Sequence, residues 1–131
     1  MKNKSKIILT WTLSVLIALI IGTGATMKLA GLPQLEDTFS KIGLLQYMGI
    51  LGVAELSFVA LFLLRRSMKI GFLLLTGYFG GAMAVEMSHG TIFIIPGAIL
   101  TLIWVTAYLR DASIFKSVEQ QVSKRTKAAL L

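Results

Sequence analysis

The sequence predicts an all-α integral membrane protein: a four-helix bundle with both termini in the cytoplasm and a short amphipathic helix on the outer side between spans 1 and 2. Three observations predict it. Of 131 residues, 56% are hydrophobic and the mean hydropathy is +0.81, whereas soluble domains are about 45–50% apolar. The apolar residues fall in four blocks, each near the ~20 residues that a spanning helix needs. The lysines and arginines flank those blocks on alternate sides.

The spans are expected at about 7–28, 43–64, 70–87 and 92–109. In hydrocarbon every backbone amide must bond within its own segment, so each block must be a helix. The first block, Ile7 to Met27, follows a basic start and ends near "GTGA", the outline of a secretory signal. At 21 residues, this largely apolar run exceeds the roughly 7–15 of a signal core, so it reads as a span. The chain is one membrane domain, 1–131.

Orientation follows from the basic residues. Lys2, Lys4 and Lys6 precede span 1, Arg65, Arg66 and Lys69 separate spans 2 and 3, and Arg110, Lys116, Lys124, Arg125 and Lys127 follow span 4. The opposite side has only Lys28 and Lys41. The positive-inside rule therefore sends both termini to the cytoplasm. The net charge of +7 is accounted for by topology, and no nucleic-acid partner is expected.

Between spans 1 and 2, "GLPQLEDTFSK" predicts a short surface helix. Pro33 suits a first helical turn, and Leu32, Leu35, Phe39 and Ile42 recur at helical spacing. The segment 111–131 predicts a basic amphipathic cytoplasmic tail. There Ile114, Phe115, Val118 and Val122 form an apolar stripe and a basic cluster follows, a composition that anionic lipid attracts.

Inside the spans or just past their outer ends, four polar residues are candidates for a ligand or proton site: Lys28, Glu55, Glu86 and His89. Glu55 lies near the middle of span 2, where an unpartnered carboxylate costs about 2.5–3.5 kcal/mol. It must therefore face the bundle interior. Met48, Gly52, Val59 and Phe62 share its helical face and should form the inner seam. Lys28 ends span 1 at the level of Glu86 and His89, so it can snorkel to the interface or bend inward to pair with Glu86 or Glu55, and the four residues outline an outward-opening polar funnel that ends on Glu55. Gly77, Gly81 and Ala84 form a small-residue stripe on span 3, expected to pack against a neighbouring helix of the same chain.

There is no cysteine, and one histidine with scattered acids does not make a metal-ligand set. No metal site is expected. No nucleotide loop or nucleophile elbow appears either. A redox role would need a bound quinone or a partner protein. Whether the chain has enzymatic activity of its own is left open, with the weight against it.

"MKLAGLP" ending span 1, "FSKIGL" entering span 2, "GVAELSFVALFLL" with its intramembrane acid and "GFLLLTGYFGGAMA" in span 3 together resemble the DoxX-like family of small four-helix bacterial membrane proteins. The resemblance covers roughly residues 10–110. It implies the four-helix fold, a bacterial inner-membrane location, and polar positions at Lys28, Glu55 and the segment after Gly80 and Gly81. It also implies an accessory role in a quinone-linked or oxidative-stress redox system with a redox partner protein; a second copy of the chain is the partner that the Gly77/Gly81 stripe would take if it served as a dimer seam. One departure stands out. Relatives read "GGAxATH", with histidine where this chain has Glu86; here the histidine comes three residues later, as His89. Two other functions suit the residues: a small proton-coupled transporter using Glu55, and a non-catalytic membrane scaffold that works through the Gly77/Gly81 stripe.

Overall fold

The computed structural model describes residues 2–131, and these are all-helical, with no strand among them. The helices are α1 (Lys2–Ala30), α2 (Pro33–Lys41), α3 (Met48–Leu63), α4 (Met68–Ser88), α5 (Ile94–Arg110) and α6 (Val118–Leu130), with 3₁₀ turns at Leu45–Tyr47 and Ala112–Phe115. The stretches Asn3–Ala30, Leu45–Leu63 and Met68–Ser88 are long and apolar enough to cross a membrane, and α5 is a shorter apolar helix of 17 residues. These helices fit a membrane protein in contact with lipid.

Burial supports the same solvent. Large apolar side chains point outward along the helices, with Ile8 66%, Leu19 63%, Ile50 67% and Leu73 68% exposed. Water would penalise that arrangement at every turn. The inward stripes meet in one core, which includes Ile17, Ile21, Phe62, Leu75 and Ile103. Around it α1 packs on α3, α3 on α4, α4 on α5 and α5 on α1.

Local signals explain the helix limits. Pro33 takes the first turn of α2, where its missing N–H is not needed. Gly43, at φ +75°, ends that helix. Its N–H donates to the Ser40 carbonyl and Leu44 N–H donates to that of Phe39, the paired bonds of a Schellman stop. This stop and the 3₁₀ turn after it delay α3 until Met48, five residues later than the apolar run alone suggests. Gly90, at φ +70°, stops α4 by the same device, with Thr91 N–H donating to the Glu86 carbonyl at 2.9 Å.

The α3–α4 corner is the tightest place in the chain. A side chain at Gly71 would put its Cβ 2.6 Å from Phe62 Cα and 2.8 Å from the Leu61 carbonyl carbon. Glycine alone lets the two backbones meet there. The carbonyls left over at the end of α3 are then claimed from two directions. Ser67 Oγ donates to Leu61 O at 2.9 Å. Arg110, from the end of α5, donates to Phe62 O and, at 3.1 Å, to Leu63 O, with its guanidinium 5.2 Å above the Phe62 ring. A cation at a helix C-terminus satisfies orphan acceptors and opposes the negative end of the dipole. Arg110→Met is expected to lower unfolding stability in detergent by about 1–3 kcal/mol, since it strands two acceptors. Arg110→Lys should recover only part, because an ammonium lacks the fork. Equal stability of all three proteins in a thermal melt would refute the capping role.

Beyond Arg110 the chain stays attached to the core. Phe115 stacks with Phe72, Trp104 and Tyr108 at ring separations of 5.8, 5.4 and 5.8 Å, and Ile114 packs against the buried cluster. Asp111 accepts from the Ser113 hydroxyl and N–H and lies 3.9 Å from Lys69 Nζ. The Ser113 hydroxyl is the main reason that the Asp111 carboxyl is held below the usual carboxylate range. The predicted apolar stripe thus divides: Ile114 and Phe115 dock, while Val118 and Val122 face outward on α6.

Candidate functional site

The face of α3 that carries Glu55 is the buried one. Met48, Gly52, Glu55, Val59 and Phe62 are its buried residues, so the predicted inner seam is observed residue for residue. Gly52 sets the distance to α1. A Cβ there would lie 3.0 Å from both the Ala25 carbonyl oxygen and Leu29 Cγ, so bare backbone lets α1 approach within one turn of Glu55.

That approach brings Lys28 to the acid. Helical side chains lean toward the N-terminus of their helix, and for Lys28 this direction leads from the end of α1 back into the protein. Its Nζ passes 3.8 Å from the Cβ position of Gly24. It donates to Glu55 Oε2 at 2.7 Å. The lysine side chain is 15% exposed and the glutamate 4%. Burial of this depth is tolerable only for a close, hydrogen-bonded pair.

The Tyr78 hydroxyl of α4 lies near the Glu55 carboxylate, outside hydrogen-bond distance. Its ring is held edge-on by Phe58, three residues along α3 from Glu55, at a centroid distance of 6.3 Å, and by Phe79 at 5.2 Å. The site is therefore a three-helix polar cluster of Lys28, Glu55 and Tyr78 among apolar side chains.

The expected funnel of four residues is not assembled. Lys28 pairs with Glu55 and not with Glu86. Glu86 lies eight residues beyond Tyr78 on α4, about 12 Å further along the axis at 1.5 Å per residue, while Lys28 is drawn the other way. Glu86 is half-buried beside Met83 and Ala82 on the inward side of α4, and its Oε2 is buried without a hydrogen-bond partner among the described residues. His89 is exposed and engaged with its own helix end: Nδ1 lies 2.9 Å from the Val85 carbonyl oxygen and 3.0 Å from Ser88 Oγ.

The small-residue stripe also differs from expectation. Gly77, Gly81 and Ala84 are all exposed, and a Cβ at Gly77 or Gly81 would meet nothing within 4 Å. No helix of this chain packs on them. The close contacts fall instead at Gly52 and Gly71, where neighbouring backbone occupies the space. Sequence reasoning also missed Tyr78 and the cap formed by Arg110. An aromatic with a polar tip on the inward side of α4 was the available signal for Tyr78. Thr106 is fully buried with its hydroxyl unbonded, and nothing in the sequence pointed to it.

No group of three or more histidine, cysteine, aspartate or glutamate side chains lies together among the described residues. A groove of about 430 Å³ runs along the outward face of α1, lined by Ala18, Gly22, Thr26, Ala30, Leu32 and Leu56. It is apart from the Lys28–Glu55 pair. These features fit a helical membrane protein with an ion pair buried between its apolar helices. No family model, curated protein or solved structure matches the chain.

Proposed function

We propose that this chain is a four-span protein of the DoxX-like type in the bacterial inner membrane, with both termini cytoplasmic, serving as an accessory subunit of a quinone-linked or oxidative-stress redox system. α1, α3, α4 and α5 are the spans, and α2 lies on the outer surface. The observation that carries this reading is the buried Lys28–Glu55 pair, which is costly in apolar surroundings and marks a site rather than a surface.

The residues suit a quinone head group. An ammonium has three N–H donors and only one of those of Lys28 is taken by Glu55, so the others are available to a carbonyl oxygen. Glu86, with its unpartnered buried oxygen, suits a ring hydroxyl. A bound quinone would supply the electron chemistry. The chain's own part is to bind, orient and exclude water, and a partner protein would deliver or take the electrons.

The test uses purified protein in mild detergent with a short-chain ubiquinone. The melting temperature is expected to rise with added quinone, and Glu86→Ala should abolish the rise. A rise of the same size in that variant would remove Glu86 from the site, and no rise in the wild type would end the quinone reading. The outward-facing Gly77/Gly81/Ala84 stripe favours one alternative, a scaffold that docks a partner helix. In that case Gly81→Leu would lose the partner in a pull-down while leaving the quinone response intact.

A further inference from the structure

Tail helix α6 is amphipathic, basic and held at one end of the spanning helices, without a partner in this chain. Val118 and Val122 lie one turn apart and are 76% and 56% exposed. Ala129, eleven residues after Val118, returns to the same side. Arg125, seven residues after Val118, also returns to this side, and Lys124 and Lys127 on the helix and Lys116 just before it are exposed as well, against one acid, Glu119.

The start of α6 is fixed rather than loose. Ser117 and Gln120 form a reciprocal capping box, and Gln121 Nε2 donates to Ser113 O at 2.8 Å and to Lys116 O at 3.2 Å. These bonds tie the first turn of α6 to the Ala112–Phe115 turn, which is itself docked on the core through Phe115. The aromatics beside it, Trp104 at 44% and Tyr108 at 57% exposure, are of the type that gathers at the membrane–water boundary. α6 follows these aromatics after a connection of seven residues from the end of α5.

We propose that α6 lies on the membrane surface and reads anionic lipid, its valine side entering the headgroup region and its basic residues engaging lipid phosphates. Two facts select this occupant. The charge is complementary to an anionic leaflet, and the helix continues from the Trp104- and Tyr108-bearing end of α5, whose aromatics are of the interfacial type. The proposal rests on α5 crossing the membrane, and goes beyond the quinone reading, which it neither needs nor supports.

The chain has no cysteine, so Val122→Cys can carry a single environment-sensitive fluorophore in the full-length protein. The labelled protein is reconstituted in nanodiscs of phosphatidylcholine alone, or of phosphatidylcholine and phosphatidylglycerol in equal parts. The expected result is a blue-shifted emission in the anionic discs only, reversed by high salt, with slower trypsin cleavage after Lys124, Arg125 and Lys127. Adding K124Q, R125Q and K127Q should reduce the preference for anionic discs by roughly a hundredfold, taking about 1 kcal/mol per basic residue. Emission typical of water in both discs overturns the proposal, and so does an equal blue shift in both. A shift that instead follows protein concentration assigns the face to a second copy and also overturns it. A chain that remains soluble without detergent overturns the membrane reading and this proposal together, whereas a chain that reconstitutes with its label in water overturns only the latter.

Discussion

Lys28→Met is expected to lose about 3–5 kcal/mol of unfolding stability, because it leaves Glu55 buried without its counter-charge. Glu55 is 3% exposed as a residue, and its inward position is fixed by the same face that buries Met48, Gly52, Val59 and Phe62. The helix cannot turn the carboxylate outward without exposing its seam. Lys28→Met combined with Glu55→Leu should regain most of the loss, since an apolar pair of similar volume carries no desolvation cost. Equilibrium unfolding in mixed detergent micelles, run as a double-mutant cycle, measures the coupling. Additive losses would show that the pair contributes nothing as a pair.

The second large effect is expected at Gly71. Gly71→Ala should destabilise by about 3 kcal/mol or more, at or above the upper end of ordinary overpacking, because the added methyl meets the Phe62 and Leu61 backbone and not a side chain that can swing away. The corner must open, and the caps that Ser67 and Arg110 place on α3 open with it. Gly81→Ala is the control: its Cβ meets nothing within 4 Å, so the change should be neutral, or stabilising by up to about 1 kcal/mol through helix propensity. Thermal melts of the two variants in the same detergent decide the matter. A Gly71 variant as stable as the Gly81 variant would contradict the close approach.

The contrast between these glycines shows what was legible in the sequence. Periodicity and length disclosed the helices, because the cost of an unpaired amide in hydrocarbon acts locally on each segment. The inward face of α3 was legible for a similar reason: one carboxylate in an apolar run fixes which side must be hidden. The Pro33 helix could be read from chain stereochemistry alone. The choice of partner for Lys28 was not legible, because it depends on the relative heights of three helices and on the way a lysine leans along its own axis. The GxxxG spacing at Gly77 and Gly81 marks a surface that permits close packing, and only tertiary placement decides whether another helix takes it. Gly71 sits in no motif, yet it lies where the chain doubles back. Arg110 counted in the sequence as one charge among eleven on its side, and its hydrogen bonds to α3 cross 47 and 48 residues.

That span of chain bears on biogenesis. When α3 and α4 have left the ribosome, the end of α3 still has carbonyl oxygens that await a donor, and the residue that supplies it has yet to be synthesised. A nascent chain interrupted before Arg110 would leave the Phe62 and Leu63 carbonyls without these donors. The arginine thus makes the finish of α3 depend on the arrival of α5, because both hydrogen bonds need residue 110 to be in place.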